Sequence, residues 1–544
     1  MVTFTYRHER TWHKNVQNHE ERRGNTMKRK LLSMLLCVGM VASLLAGCGG
    51  SEAETTGASD STASTDEIVD IVMPMATLGE APADLETVEA AINEITEEEI
   101  GVHVIIEPIP FGDLSSQQNL MISSGDQLDL VLALWEGGIG NYVEKGAVIE
   151  LTDLVEAHGQ DILSSTGAAV AGGYYNGSLY AVPNAEAQGH SYGFYAREDV
   201  VTELGFSFDP DTVYTIEDLE ALFAAYKEAY GDGYYCVAGT TSSSEFFPNL
   251  YGHVDNLGNG TGGYVFGGLV DCLDKTNTTI ENIYATEEYM DYAQRMYDWA
   301  KKGYFSADAA TNTDAGTAQI ASGNYLGQFN NTEKVQQAQV SSACGTPMIP
   351  INIVSPYSAT SMYQAVLWGI SSNCEYPEKA MQMLNVLYSN PDVVSMLMYG
   401  FEGTHYEVVE QGDAHKRVIA FPEGVDAMNS SYYVTLGVFG NQNLYPVWAP
   451  DTLERYDLLT EFNAEVAKEE NKSVALKYAF NFNEHASEYS AVAAVVSQYS
   501  GAIASGSVDP TTQIPAFVKA LEDAGINTLI EANQAQLDAW LAAN

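Results

Sequence analysis

The 544 residues carry 24 Lys and Arg against 73 Asp and Glu, a formal net charge of −49, which repels nucleic acid and anionic lipid headgroups and disfavours both as partners. With 46% hydrophobic and 10% aromatic residues, 33 tyrosines among them, this is not a disordered acidic chain but one able to build large cores. Its length fits two or three structural units at the usual ~100–200 residues each.

Residues 1–26 are polar and carry Arg7, Arg10, Lys14, Arg22 and Arg23 ahead of a second methionine, Met27. They are expected to be an upstream extension outside the natural protein. Met27-Lys28-Arg29-Lys30 then precedes a mostly apolar run, Leu31 to Ala46. That run is shorter than the ~20 residues a membrane-spanning helix needs, so 27–47 reads as a cleaved export signal. Its ending, Leu45-Ala46-Gly47-Cys48, resembles the lipobox of bacterial lipoproteins, which implies lipidation at Cys48 and a lipid anchor outside the membrane. Gly49 to Glu67 has no large apolar residue. This linker has an average reach of about 25 Å, so 48–67 lifts a globular head off the membrane.

The head opens with a β-branched run at Ile68 to Met75, then Leu85, Val88, Ala91, Ile92 and Ile95 at helical spacing. A strand at Val102 to Ile109, a helix at Leu114 to Ser123 and a continuous apolar strand at Leu128 to Leu134 follow. Such alternation predicts an α/β domain with a mostly parallel sheet. Ligands of such sheets bind beyond the carboxyl ends of the strands. Glu80, after the first strand, and Trp135 and Glu136, after the third, are therefore candidate site residues. An indole face beside a carboxylate suits a sugar, whose C–H face stacks while its hydroxyls donate; core packing is the alternative for Trp135.

Gly177-Ser178-Leu179-Tyr180-Ala181-Val182-Pro183, then Tyr192-Gly193-Phe194-Tyr195-Ala196-Arg197-Glu198-Asp199, resemble the first crossing between lobes in extracellular solute-binding proteins of family 1, mostly receptors of carbohydrate ABC importers. A Thr-x-x-Asp capping box at Thr215 precedes Leu219, Leu222, Phe223 and Tyr226 on one helical stripe. Gly189-His190-Ser191-Tyr192-Gly193 matches the GxSxG pattern of serine hydrolases, but polar residues precede it and a strand follows, so no nucleophile elbow is expected. Asp255 to Gly260 has Leu257 where a calcium-loop ligand belongs, and neither HExxH nor a phosphate loop occurs, so neither metal nor cofactor is expected. Cys236, Cys272, Cys344 and Cys374 lack CxxC spacing; their pairing stays open.

Further on, Ser322-Gly323 leads into an apolar strand ending at Phe329 and Asn330, the positions that in the related receptors reach the ligand. Pro347 to Val354 and Ala365 to Ile370 look like the return to the first lobe. Pro377 and Pro391 start helices, the second ended by Gly400. The segment Tyr399-Gly400-Phe401-Glu402-Gly403-Thr404-His405-Tyr406 is similar to one in a subgroup of lipoprotein sugar-receptor homologues, and Phe517, Leu521 and Leu529 to Trp540 suit that group's final helices. The resemblance spans nearly all of 27–544.

The resemblance implies a two-lobe periplasmic-binding-protein-like α/β fold, with a ligand cleft between two mostly parallel sheets flanked by helices. Lobe one is expected at 68–188 and 346–400, lobe two at 189–345 and 401–544. It further implies a non-enzymatic, monomeric receptor on the extracellular face of the membrane, delivering a sugar to an ABC permease driven by a separate ATPase. Glu80, Trp135, Glu136, Tyr195, Phe329, Asn330 and Trp448 are the expected ligand contacts. A receptor for peptides or another solute, and a surface glycoside hydrolase, are the rival readings.

Overall fold

A computed structural model describes residues 68–135, 138–239, 247–257, 263–434 and 436–543. The export signal, Cys48, the linker and Glu136 lie outside the described residues. The first lobe is built on β1 (Val69–Thr77), α1 (Leu85–Ile100), β2 (Val102–Pro110), α2 (Leu114–Ser124) and β3 (Leu130–Leu134). β1 and β2 are parallel, and β3 is keyed to β1 where the Asp129 amide donates to Val72 O and the Asp129 carboxylate accepts from the Val72 amide. β1 and β3 are buried almost throughout, as strands covered on both faces must be.

Beyond α3 (Gly140–Glu144) and β4 (Ala181–Pro183), the chain enters the second lobe at β5 (His190–Arg197). There α4 (Ile216–Tyr230) buries Leu219, Leu222, Phe223 and Tyr226 and starts in the expected capping box between Thr215 and Asp218. The sheet is completed by β6 (Tyr235–Val237), β7 (Tyr325–Asn331) and β8 (Met348–Tyr357), with α5 (Glu287–Lys301) on its core face. The strand order is β8-β5-β7-β6.

Two expectations are corrected here. The strand at 348–357 does not return to the first lobe: β8 is antiparallel to β5, with Ile351 opposite Phe194. The return comes at β9 (Val366–Ile370), which pairs antiparallel with both β3 and β4. The sheets are therefore mixed rather than mostly parallel. A strand that enters a lobe from a crossing starts at the cleft edge and runs away from it, opposite to strands that end there. β5 and β9 are such strands.

α6 (Pro377–Ser389) and α7 (Pro391–Tyr399) then cover the first sheet, burying Ala380, Leu384, Leu387, Val394 and Leu397. Tyr432, Val434, Val438, Phe439 and Tyr445 join that same first core, so 401–544 is not all second lobe. The second core is closed by α8 (Ala486–Ala504), α9 (Pro510–Ala524) and α10 (Ile526–Ala543), through Val492, Phe517, Leu529 and Leu537. Cys236, Cys272, Cys344 and Cys374 are free thiols. No helix among the described residues is long and apolar enough to cross a membrane.

Candidate functional site

Three segments run between the lobes, 184–189, 358–365 and 466–473, and Ser358 ties them together. Its Oγ lies 2.5 Å from Gln188 O and 3.3 Å from Val466 O, while its backbone donates to Asn471 O and accepts from the Ser473 amide. A Cβ on Gly189 would stand 2.3 Å from Tyr357 O, and one on Gly193 2.1 Å from Ile351 O. Close approach of backbones, rather than a nucleophile elbow, thus accounts for both glycines of the GxSxG pattern. Ser191 itself is buried inside β5, in extended backbone.

The first-lobe rim of the cleft consists of strand ends. Thr77 pairs with Pro110, which puts Leu78 and Phe111 side by side, and the Phe111 ring meets Trp135 edge to face at 5.4 Å and 76°. Leu78 is 64%, Trp135 43% and Phe111 37% exposed. Trp135 stands at φ +50 with its amide bonded to Ala365 O at 2.7 Å. A side chain there costs about 1–3 kcal/mol of backbone strain. Leaving close to half of its surface in water forgoes about 1 kcal/mol more. Neither serves stability. Trp135 is therefore not core packing; Leu78 follows the first strand, where the sequence reading already placed the cleft, whereas Phe111 escaped that reading because its contact with Trp135 depends on how distant strands pack.

The other expected contacts fall in different places. Glu80 is exposed on the turn after β1. Asn330 is half-buried near the cleft end of β7, opposite Gly193, with Oδ1 accepting from the Asn331 amide. Tyr195 and Phe329 are corrected to core residues. Tyr195 is fully buried with its hydroxyl donating to Glu333 O, and Phe329 is wedged between Phe194 and Trp299. Both lie within a strand covered on both faces, so an aromatic residue at either position meets packing rather than solvent. Trp448 is half-buried among the rings of Tyr399, Phe421 and Tyr433, apart from the Phe111–Trp135 pair.

The crossing segments are rich in titratable groups. Enclosure raises the Glu186 carboxyl to about 7, against the attraction of His190, the hydrogen bond from Gln442 Nε2 at 2.8 Å and the attraction of Arg455. His190 Nδ1 lies 3.0 Å from Glu333 Oε1, which also accepts from the Ser191 amide. At the first-lobe rim the Asp84 carboxylate is held below its ordinary range by hydrogen bonds from Ser431 and His405. No cluster of metal-ligating side chains occurs among the described residues.

Residues 90–416 match the family model described as bacterial extracellular solute-binding protein, and 474–542 match a domain of unknown function. The chain is 26% identical over 512 residues to a carbohydrate ABC transporter substrate-binding protein of Streptococcus pneumoniae serotype 4 (strain ATCC BAA-334 / TIGR4), covering 92% of this chain and 96% of that one. The N-glycan transport solute binding protein NgtS of S. pneumoniae has the same fold, with a TM-score of 0.71 at 24% identity over 87% of this chain and 99% of that one. Its complex with Man5GlcNAc gives a TM-score of 0.63 at 23% identity, over the same 87% and 99%. The matched family model covers more than half of the chain, and the two-lobe fold agrees with it: this protein belongs to the bacterial extracellular solute-binding proteins.

Proposed function

We propose that the protein is the receptor of a carbohydrate ABC importer and captures a mono- or oligosaccharide between its lobes. The observation that carries this reading is Trp135, strained, exposed and braced by Phe111 at the rim where the crossings begin. Apolar ring faces with a few placed polar groups are what a sugar site needs. Ligand contacts made to both lobes favour the closed arrangement by their differential affinity. The names of the relatives support the same substrate class. In this reading the protein works as a monomer without catalysing a reaction, is lipid-anchored through Cys48 on the extracellular face, and delivers its ligand to a permease driven by a separate ATPase.

The test is thermal unfolding against panels of mono-, di- and oligosaccharides and short peptides, with product analysis of each mixture. Ligand at 100 times its dissociation constant adds about 2.7 kcal/mol to the native state. Stabilisation by an intact sugar is expected. Stabilisation by peptides alone, or turnover of a glycan, refutes the reading. Cys48→Ser is expected to release the protein from cell membranes into the medium.

A further inference from the structure

The segment Tyr399 to Tyr406, distinctive in the sequence, forms a tight loop after α7, and its geometry serves one side chain. Gly400 stands at φ +69, where a Cβ would run into His405 Nδ1, so only glycine leaves room for the imidazole. The Phe401 amide donates to His405 Nδ1 at 2.9 Å, and the ring, 2% exposed, packs on Phe401 and Tyr432. With Nδ1 accepting, the ring proton sits on Nε2, which donates to Asp84 Oδ2 at 3.0 Å. The same oxygen accepts from Ser431 Oγ at 2.6 Å, and the Asp84 amide donates to Ser431 O at 3.1 Å. Two distant segments thus converge on one aspartate.

Asp84 is where the first-lobe rim loop ends. Residues 78–83 run from the end of β1, beside Phe111, to the start of α1, and none of them is buried. A loop without a buried side chain has no packing of its own to fix its course, so its two ends must fix it. Thr77, paired with Pro110 in the sheet, holds one end. The other is Asp84, at the N-cap of α1, where a carboxylate ordinarily accepts from a first-turn amide and stabilises the helix. Its side chain makes no such bond here. Leu85, Val88 and Ile92 hold α1 in the first core, and the carboxylate is turned to His405 and Ser431 instead.

We propose that His405, acting through Asp84, is a positioning residue for ligand capture: it sets the course of loop 78–83 and with it the placement of Leu78 and Glu80 at the cleft. The bond suits that task, because a hydrogen bond to an ionised carboxylate is stronger than one between neutral groups and fixes both partners. A tether that served stability alone would leave ligand affinity untouched. The inference rests on the carbohydrate reading above and goes beyond it by giving the Tyr399 to Tyr406 segment a part in binding.

Calorimetric titration with the mono-, di- or oligosaccharide that the wild type binds most tightly tests it, in a cycle that crosses Asp84→Ala with the loop variant Leu78→Ala/Glu80→Ala. Asp84→Ala, at a half-buried position, is expected to weaken binding about fivefold or more in the wild-type background. In the loop variant, where the side chains it places are already gone, the same change should cost less than about twofold. Asp84→Asn keeps an oxygen to accept from His405 and Ser431 and should stay within about twofold of wild type. His405→Phe keeps a ring on Phe401 and Tyr432 but removes the donor, and should weaken the sugar as Asp84→Ala does. Unchanged affinity in Asp84→Ala, an equal loss in both backgrounds, or a folded His405→Phe that binds like wild type overturns the positioning role while leaving the carbohydrate reading intact. Failure of every sugar to bind the wild type overturns the carbohydrate reading and this inference with it.

Discussion

Glu186 offers a quantitative check on the crossing. Its carboxyl titrates at about 7 against an ordinary 4.5, first because enclosure disfavours the charged form, with His190, Gln442 and Arg455 pulling the other way and Tyr388 and Tyr445 close by. Below pH 4.5 both folded and unfolded chains are protonated there and the group costs nothing. As pH rises towards 7 the unfolded chain ionises first, so stability falls by up to about 1.4 kcal/mol per pH step and the whole loss, about 3 kcal/mol, is present above pH 7. Glu186→Gln removes the titration while keeping an acceptor for Gln442. Urea unfolding of wild type and variant at pH 5 and pH 8 should therefore show a difference that moves in the variant's favour by about 1–3 kcal/mol between the two conditions, with unchanged denaturant slopes. A difference that stays constant across pH, or that moves the other way, would refute an enclosed carboxyl at this crossing.

Trp135→Gly should relieve the backbone strain and leave stability within about 1 kcal/mol of wild type, while sugar affinity drops by about tenfold or more; thermal unfolding and titration calorimetry read the two effects separately. Gly189→Ala forces a methyl into Tyr357 O and Val466, and should cost about 1–3 kcal/mol in chemical denaturation. Tyr195→Phe loses the hydrogen bond to Glu333 O and should cost about 1 kcal/mol with ligand affinity unchanged. A change in affinity without a change in stability would return Tyr195 to the cleft.

Local signals in the sequence sufficed wherever structure is decided locally. The Thr215 capping box, the apolar stripe behind it and the helices starting at Pro377 and Pro391 stand where periodicity and capping chemistry put them, because the helix period and the N-terminal hydrogen bonds involve only residues a few positions apart. The two-lobe α/β class was likewise legible, from strand and helix alternation together with the residues of the first crossing, and Trp135 was legible as the residue following a buried strand. Strand partners were not. The run at 348–357 is apolar enough for either sheet, and only long-range pairing assigns it to β5. Tyr195 and Phe329 show the same limit, because an aromatic residue in a strand faces ligand or core according to what covers that face. Phe111 beside Trp135 and His405 beside Asp84 are brought together from separate segments of the chain. Such juxtapositions depend on packing between distant segments, and tertiary structure alone decides them.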